Sequence, residues 1–153
     1  MMIPRFARVF LFLTAFIVYV FDRVTKLVAL KVLDAGQSVE VVPGIFNFTL
    51  LFNNGAAFGL FKDLAAFFIV VSVIVIACII VYAWRTAITS VPLVVSLGLI
   101  LGGALGNLVD RISFSGCVVD FLDFRVWPVF NIADSAISVG VTILILYVLF
   151  TKK

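Results

Sequence analysis

The chain of 153 residues is 65% apolar and only 12% charged, with a mean hydropathy of +1.33. A soluble domain is about 45–50% apolar and about 25% charged, so a water-soluble globule, a disordered chain and a nucleic-acid-binding module are excluded, and no nucleic-acid partner is expected. The 11 basic and 8 acidic residues leave a net charge of +3, and the sequence holds no histidine, which removes a Ser-His-Asp triad, a Cys-His dyad and every histidine-ligated metal site; no metal or cofactor is expected.

A hydrocarbon core of about 30 Å takes about 20 helical residues to cross. The first helix is expected over about 6–30, an apolar run from Val9 to Phe21 followed by Asp22, Arg23 and Lys26 in its last third. Its arginines precede an apolar run as in a secretory signal, but no small-x-small cleavage site follows, so it reads as a retained anchor. A β-hairpin or cradle follows over about 38–58. Two β-rich runs flank Pro43-Gly44, and Phe46, Phe48, Leu50 and Phe52 are expected on one face of the second strand, with Asn47 and Thr49 on the other. An aromatic-faced hairpin of this kind suits lipid or a bound peptide, and equally a cap on the bundle.

Leu64–Trp84 is 21 residues without charge or proline and gives the second helix, about 64–84. The third, about 91–109, carries Pro92 in its first turn, where a missing N–H costs little. Gly98, Gly102 and Gly106 recur along it every four residues, a small-residue face for close helix approach, expected within the bundle. An outer loop over about 110–130 leads to the fourth helix, about 131–150. The fold class is therefore an all-α membrane bundle of four transmembrane helices with a small β element between the first two, one integral domain over 1–153. Arg5, Arg8, Arg85, Lys152 and Lys153 fall on one side of this topology without an acid among them, which places both termini inside. Cys78 and Cys117 are kept apart by the topology, and the Val75–Cys78 likeness to a lipid-attachment box is mid-chain and mid-membrane.

Charges at membrane depth are costly and point to function. Alternating helix directions bring Asp22, Asp110, Arg111 and Asp134 to one depth on the outer side, with the amides of Asn107 and Asn131 beside them and Asn53 and Asn54 ending the second strand. Each has an ordinary explanation: an Asp22–Lys26 i,i+4 pair, Asp110–Arg111 at the membrane boundary, Asn131 as the N-cap of helix 4 with Asp134 favoured by the helix dipole. Their convergence at one level does not. Without histidine or metal, paired carboxylates are the available acid–base groups, and two aspartates sharing a proton can hydrolyse an amide. Asp134 is the first member; spacing leaves Asp110, Asp120 and Asp123 open as the second.

Asp22-x-x-Thr25-Lys26, Asn53-x-Gly55-Ala56-Ala57-Phe58, Gly102-Gly103-Ala104-x-Gly106-Asn107-x-x-Asp110-Arg111, Gly116-x-Val118-Val119-Asp120-Phe121 and Phe130-Asn131-x-Ala133-Asp134 resemble, in order, the boxes of the lipoprotein signal peptidase (signal peptidase II) family. The resemblance implies a bacterial aspartic endopeptidase of the cytoplasmic (inner) membrane. Such an enzyme removes prolipoprotein signal peptides just before the diacylglyceryl-modified cysteine, at the extracytoplasmic face, and a monomer in contact with membrane lipid is expected. It implies Asp120 and Asp134 as the catalytic pair, with Asp22, Lys26, Asn53, Gly55, Asn107, Asp110, Arg111, Asn131 and Ala133 shaping or supporting the site. On this reading Asn107 and Asn131 orient the pair, Asp110–Arg111 brace the loop between its members, and Asp22 and Lys26 support the hairpin. Two departures from the family pattern, a longer Ile112–Ser115 spacer and a shorter Asp120–Asp134 stretch, bear on the shape of the outer loop. The alternatives are a small proton- or ion-coupled transporter using Asp22, Asp110 and Asp134, a non-catalytic membrane subunit, and a serine–lysine protease built on Lys26 with Ser113 or Ser115.

Overall fold

The computed structural model describes residues 3–55 and 64–151. Helix α1 (Pro4–Val32) leads into strands β1 (Ser38–Val42) and β2 (Phe46–Asn53); α2 (Leu64–Arg85), α3 (Val91–Ser113), β3 (Val118–Asp123) and α4 (Ile132–Thr151) follow. The expected end of the cradle at 58, with Ala56, Ala57 and Phe58, lies outside the described residues, as do Lys152 and Lys153.

The helix starts follow from local chemistry. Proline in the first turn opens both α1 and α3, where its fixed φ suits the helix and its missing N–H is no loss. Helix α3 is the centre of the bundle because its glycines admit neighbouring backbones. A Cβ at Gly102 would stand 2.5 Å from the Ala15 carbonyl oxygen of α1, and one at Gly103 2.5 Å from the Ala133 carbonyl oxygen of α4. The four-residue glycine stripe is therefore spent within the bundle, as expected. Toward one end, Leu11 and Ala15 of α1, Ile79 and Ala83 of α2, and Val94, Leu97 and Leu101 of α3 form an apolar core. Arg8 closes that end, its guanidinium 5.4 Å from the Trp84 ring centroid.

Among the described residues, three helices are long and apolar enough to cross a membrane: Ala65–Arg85, Val91–Ser113 and Ile132–Thr151. Helix α1 is the longest at 29 residues, but Asp22, Arg23 and Lys26 interrupt its apolar run. Most of the apolar side chains along its length, Phe16, Ile17, Val20 and Phe21 among them, face outward and are exposed.

Three expectations are corrected here. The β element is a three-stranded antiparallel sheet in the order β1-β2-β3, not a two-stranded hairpin; β3 comes from the segment expected as an outer loop over 110–130. Helix α3 runs to Ser113 rather than 109, since Phe114 N–H still reaches the Asp110 carbonyl at 2.7 Å. And Phe46, Phe48, Leu50 and Phe52 do not share one face. Between the Phe48–Leu122 and Leu51–Asp120 pairs, β2 holds one more residue than β3, a bulge that reverses the alternation. Leu50 is buried with Ala29, Val119 and Phe121, while Phe48 and Phe52 stay partly exposed.

Candidate active site

The bulge has a direct consequence for the polar residues. An unbroken ladder would pair Phe52 with Val118 and turn Asn53 to the opposite face from Asp120. With the extra residue, Asn53 pairs with Val118, and its amide donates to Asp120 Oδ2 at 2.8 Å. Asn53 Oδ1 in turn accepts the Gly55 N–H at 2.8 Å. Gly55 adopts φ +77°, and a Cβ there would run into the Phe68 ring of α2, so only glycine fits this turn.

Asn131 and Asp134 form a reciprocal cap at the start of α4. Asp134 N–H donates to Asn131 Oδ1 at 2.8 Å, and Asn131 N–H points back to Asp134 Oδ2 at 3.4 Å, the geometry of a capping box with asparagine and aspartate in the two roles. The N-cap reading of Asn131 therefore holds. It leaves the Asn131 amide nitrogen free for another task, and that group donates to Asp120 Oδ1 at 2.6 Å. One residue thus caps the helix that carries Asp134 and hydrogen-bonds Asp120. Asn107 completes the link by donating to Asp134 Oδ1 at 2.7 Å.

Beneath this pair lies a buried, charge-balanced group of four. Lys26 Nζ is 2.9 Å from Asp22 Oδ2, 2.7 Å from Asp110 Oδ2 and 3.1 Å from Asn107 Oδ1. Arg23 pairs with the other oxygen of Asp110. Two carboxylates and two cations cancel, the condition under which burial of such charges is tolerable. Each carboxylate also accepts a backbone N–H from the residue just before one of the upper aspartates. Val119 N–H donates to Asp110 Oδ2 at 3.1 Å, and Ala133 N–H donates to Asp22 Oδ1 at 2.9 Å. Lys26 therefore ties together the backbone positions of Asp120 and Asp134. Ala133 is wholly buried beside Gly106 of α3.

The expectation that Asp22 and Lys26 support the hairpin is thus corrected. They hold α1 to α3 and to the first turn of α4, because that is where buried partners of opposite charge and unpaired N–H groups lie. Arg111 sits with its guanidinium 5.0 Å from the Phe68 ring centroid, and its charge interacts with Asp134, Asp120 and Asp110. Arg23 was not foreseen as part of the site. Its position beside Asp22, at a depth where a lone charge is costly, was the available signal.

Of the three acids left open by spacing, the geometry separates all three. Asp110 is occupied by Arg23, Lys26 and the Val119 N–H. Asp123 accepts from Thr49 Oγ1 and from the Arg125 N–H, each at 2.8 Å. These hydrogen bonds, the backbone one first, hold its carboxyl below the usual value. Asp120 alone is buried facing Asn131 and is influenced by the charge of Asp134. Burial pushes its carboxyl from 3.8 up to about 7, aided by Asp134 and opposed by the Asn53 and Asn131 hydrogen bonds and the Lys26 charge. A buried carboxyl that titrates near neutrality, beside a second carboxyl, is equipped for proton transfer in both directions. Cys78 and Cys117 are free thiols, and the described residues hold no cluster of His, Cys, Asp and Glu fit for a metal.

Apolar helices packed round buried, hydrogen-bonded aspartates at one end define a helical membrane protein with a buried polar site. The family model for signal peptidase (SPase) II matches residues 14–150. The chain is 42% identical to the lipoprotein signal peptidase of Halothermothrix orenii over 142 residues, 93% of this chain and 97% of that one. It is 45% identical to that of Pelotomaculum thermopropionicum over 135 residues, 88% of each. A bacterial membrane enzyme solved by the in meso method at 1.9 Å superposes with a TM-score of 0.82 at 35% identity, covering 92% of both chains. The chain belongs to the signal peptidase II family, and is therefore a membrane-embedded protease.

Proposed function

We propose that the protein is the endopeptidase that cuts the signal peptide from prolipoproteins immediately before their diacylglyceryl-modified cysteine, with Asp120 and Asp134 as its catalytic pair. The observation that carries this reading is Asn131, which hydrogen-bonds both aspartates at once. Asp120, titrating near 7, holds the shared proton, and Asp134 is the base of the pair. One proton on the pair leaves a single negative charge to be balanced by Arg111.

Asp134 takes a proton from a water molecule as its oxygen attacks the scissile carbonyl carbon, and Asp120 gives its proton to the carbonyl oxygen. The tetrahedral intermediate then collapses: its C–N bond breaks, the amine leaves with the proton from Asp134, and a hydroxyl proton returns to Asp120. Asn107 and Asn131 keep the two carboxylates oriented through both steps, which lowers the barrier by fixing the attack geometry. Asp22, Lys26 and Asp110 fix the backbone on which the pair stands, and Asn53, placed by Gly55, holds Asp120 from the sheet side.

On this reading α1 is a fourth span in one integral domain. Its 29 residues measure about 43 Å at 1.5 Å per residue, enough to cross a core of about 30 Å. Arg5, Arg8 and Arg85 mark the cytoplasmic side by the positive-inside rule, so the aspartates and the sheet face outward from the bacterial inner membrane. An acylated substrate is anchored in the outer leaflet, and its scissile bond is thereby held at the depth of the pair.

The test is purified protein in lipid with a diacylglyceryl-modified precursor and an unmodified one, followed by gel shift. Wild type should cleave only the lipidated form. Asp120→Asn and Asp134→Asn should each lower the rate by about a thousandfold or more while the protein stays folded. Near-normal processing by Asp120→Asn would overturn the assignment.

A further inference from the structure

At the end of the bundle opposite the aspartates the charge is of one sign. Arg5 and Arg8 lie at the start of α1 and Arg85 ends α2, while every acidic residue of the chain falls within 22–63 or 110–134. Arg8 is already engaged: its guanidinium donates to the Trp84 carbonyl at 3.3 Å and lies over the Trp84 ring. That contact covers one carbonyl of the α2 terminus, whose partial negative charge disfavours an anion. Arg5 and Arg85 are exposed, and neither has a hydrogen-bond or ion-pair partner among the described residues.

Arg85 differs from Arg5 in what lies beside it. A shallow groove of about 410 Å³ runs along α2, lined by Ala77, Cys78, Val81, Tyr82, Arg85 and Thr86. These residues come in pairs one helical turn apart, so a single helix face passes from hydrocarbon to hydroxyl to guanidinium over about 12 Å. The Tyr82 and Thr86 hydroxyls, like the Arg85 guanidinium, meet no partner among the described residues. The helix around them presents exposed hydrocarbon, Val70, Ile74 and Val81 among it, which in a membrane is covered by lipid tails. Three unpaired donors above an apolar slot match the plan of a phospholipid: phosphate oxygens accept from Arg85, Tyr82 and Thr86, and the upper part of a tail lies along 77–81. A soluble anion would leave the slot empty, and a lipid without a phosphate would leave the guanidinium unpaired.

We propose that this groove holds one phospholipid of net negative charge, drawn from the leaflet that meets this end of the bundle. Three arginines without a compensating acid favour a lipid whose phosphate charge is not cancelled by its own ammonium group. The site lies at the far end of the helices from Asp120 and Asp134 and stands independently of the peptidase reading.

The experiment offers the purified protein in mild detergent an equimolar mixture of acidic phosphatidylglycerol and zwitterionic phosphatidylcholine with the same chains, and counts the retained lipid by native mass spectrometry. Wild type should keep one phosphatidylglycerol in preference. Arg85→Gln should lower that preference about fivefold, the worth of one arginine near lipid headgroups, and Arg5→Gln by less than about twofold. Cys78→Phe, at an exposed position, fills the slot with every charge in place and should lower the preference as Arg85→Gln does. Val73→Phe, exposed on α2 outside the groove, should keep the wild-type ratio. Equal losses in Arg5→Gln and Arg85→Gln would reduce the effect to a diffuse positive field and overturn the site. So would full retention in Cys78→Phe, or no preference for phosphatidylglycerol in wild type.

Discussion

The two aspartates of the proposed pair are held by different kinds of structure. Asp134 stands in the first turn of α4, fixed by a cap three residues away, with Asn107 of α3 as its one long-range hydrogen-bond donor among those described. Asp120 stands in the middle of a strand whose partners come from far along the chain. Asn53 is 67 residues before it, and the Asp110 carboxylate that fixes the preceding N–H belongs to another element. One is a helix terminus put to use, and the other is a tertiary construction. Asn131 and Lys26 are where the two kinds of support join, so substitutions there test whether the pair is one unit.

Lys26→Met should have the largest effect. It leaves Asp22 and Asp110 buried with only Arg23 to balance them, and loss of one partner from a buried ion group costs about 3–5 kcal/mol. Both aspartates should lose their backbone anchors together, so thermal stability in detergent and cleavage should fall in parallel. If Lys26→Met kept wild-type stability, the two supports would be independent.

The same division explains what could be read from the sequence. The helices were legible because hydropathy acts over a whole segment, and the cap at Asn131 because it needs only residues three apart. The glycine stripe of α3 was legible too, since helical spacing predicts its shared face. Strand β3 was not. In Val118–Asp123 the aspartates at 120 and 123 break any clean alternation, and the segment is a strand only because β2 pairs with it. The bulge in β2 had no local signature, yet it decides that Asn53 meets Asp120. Spacing alone could not choose Asp120 over Asp110 or Asp123, because the difference lies in which partners each carboxylate meets after folding.

A finer cut is made at Asn131. A serine there can still cap α4 by accepting the Asp134 N–H, since serine and asparagine are nearly equal N-caps. It cannot donate an amide to Asp120. Asn131→Ser should therefore keep the cap but cost about 1–3 kcal/mol through the buried acceptors it leaves unpaired, while cleavage falls about tenfold, the worth of one hydrogen bond at the pair. Asn131→Ala should cost about 1 kcal/mol more through loss of the cap. Because the Asn131 hydrogen bond lowers the Asp120 titration point, both variants should also move the alkaline limb of the pH–rate profile upward. Equal activity of Asn131→Ser and wild type would mean that capping is the whole role of this residue.

The smallest effect is the most specific to Asp120. Its carboxyl titrates at about 7 in the folded protein against 3.8 normally, so between these values the folded state binds a proton that the unfolded chain has released. Stability must then fall as pH rises from about 4 to about 7, and level off above. Asp120→Asn removes the titrating group, so the melting temperature of wild type should decline over that interval more steeply than that of the variant. The contrast with Asp123 sharpens the test. Its carboxyl is lowered by the Arg125 N–H and Thr49 hydrogen bonds, so its contribution is present above its usual titration range and is lost as pH falls through the lowered value. Asp123→Asn should leave the slope between pH 4 and 7 intact. Parallel slopes for wild type and Asp120→Asn would place the proton elsewhere in the pair, and the roles of donor and base would have to be exchanged.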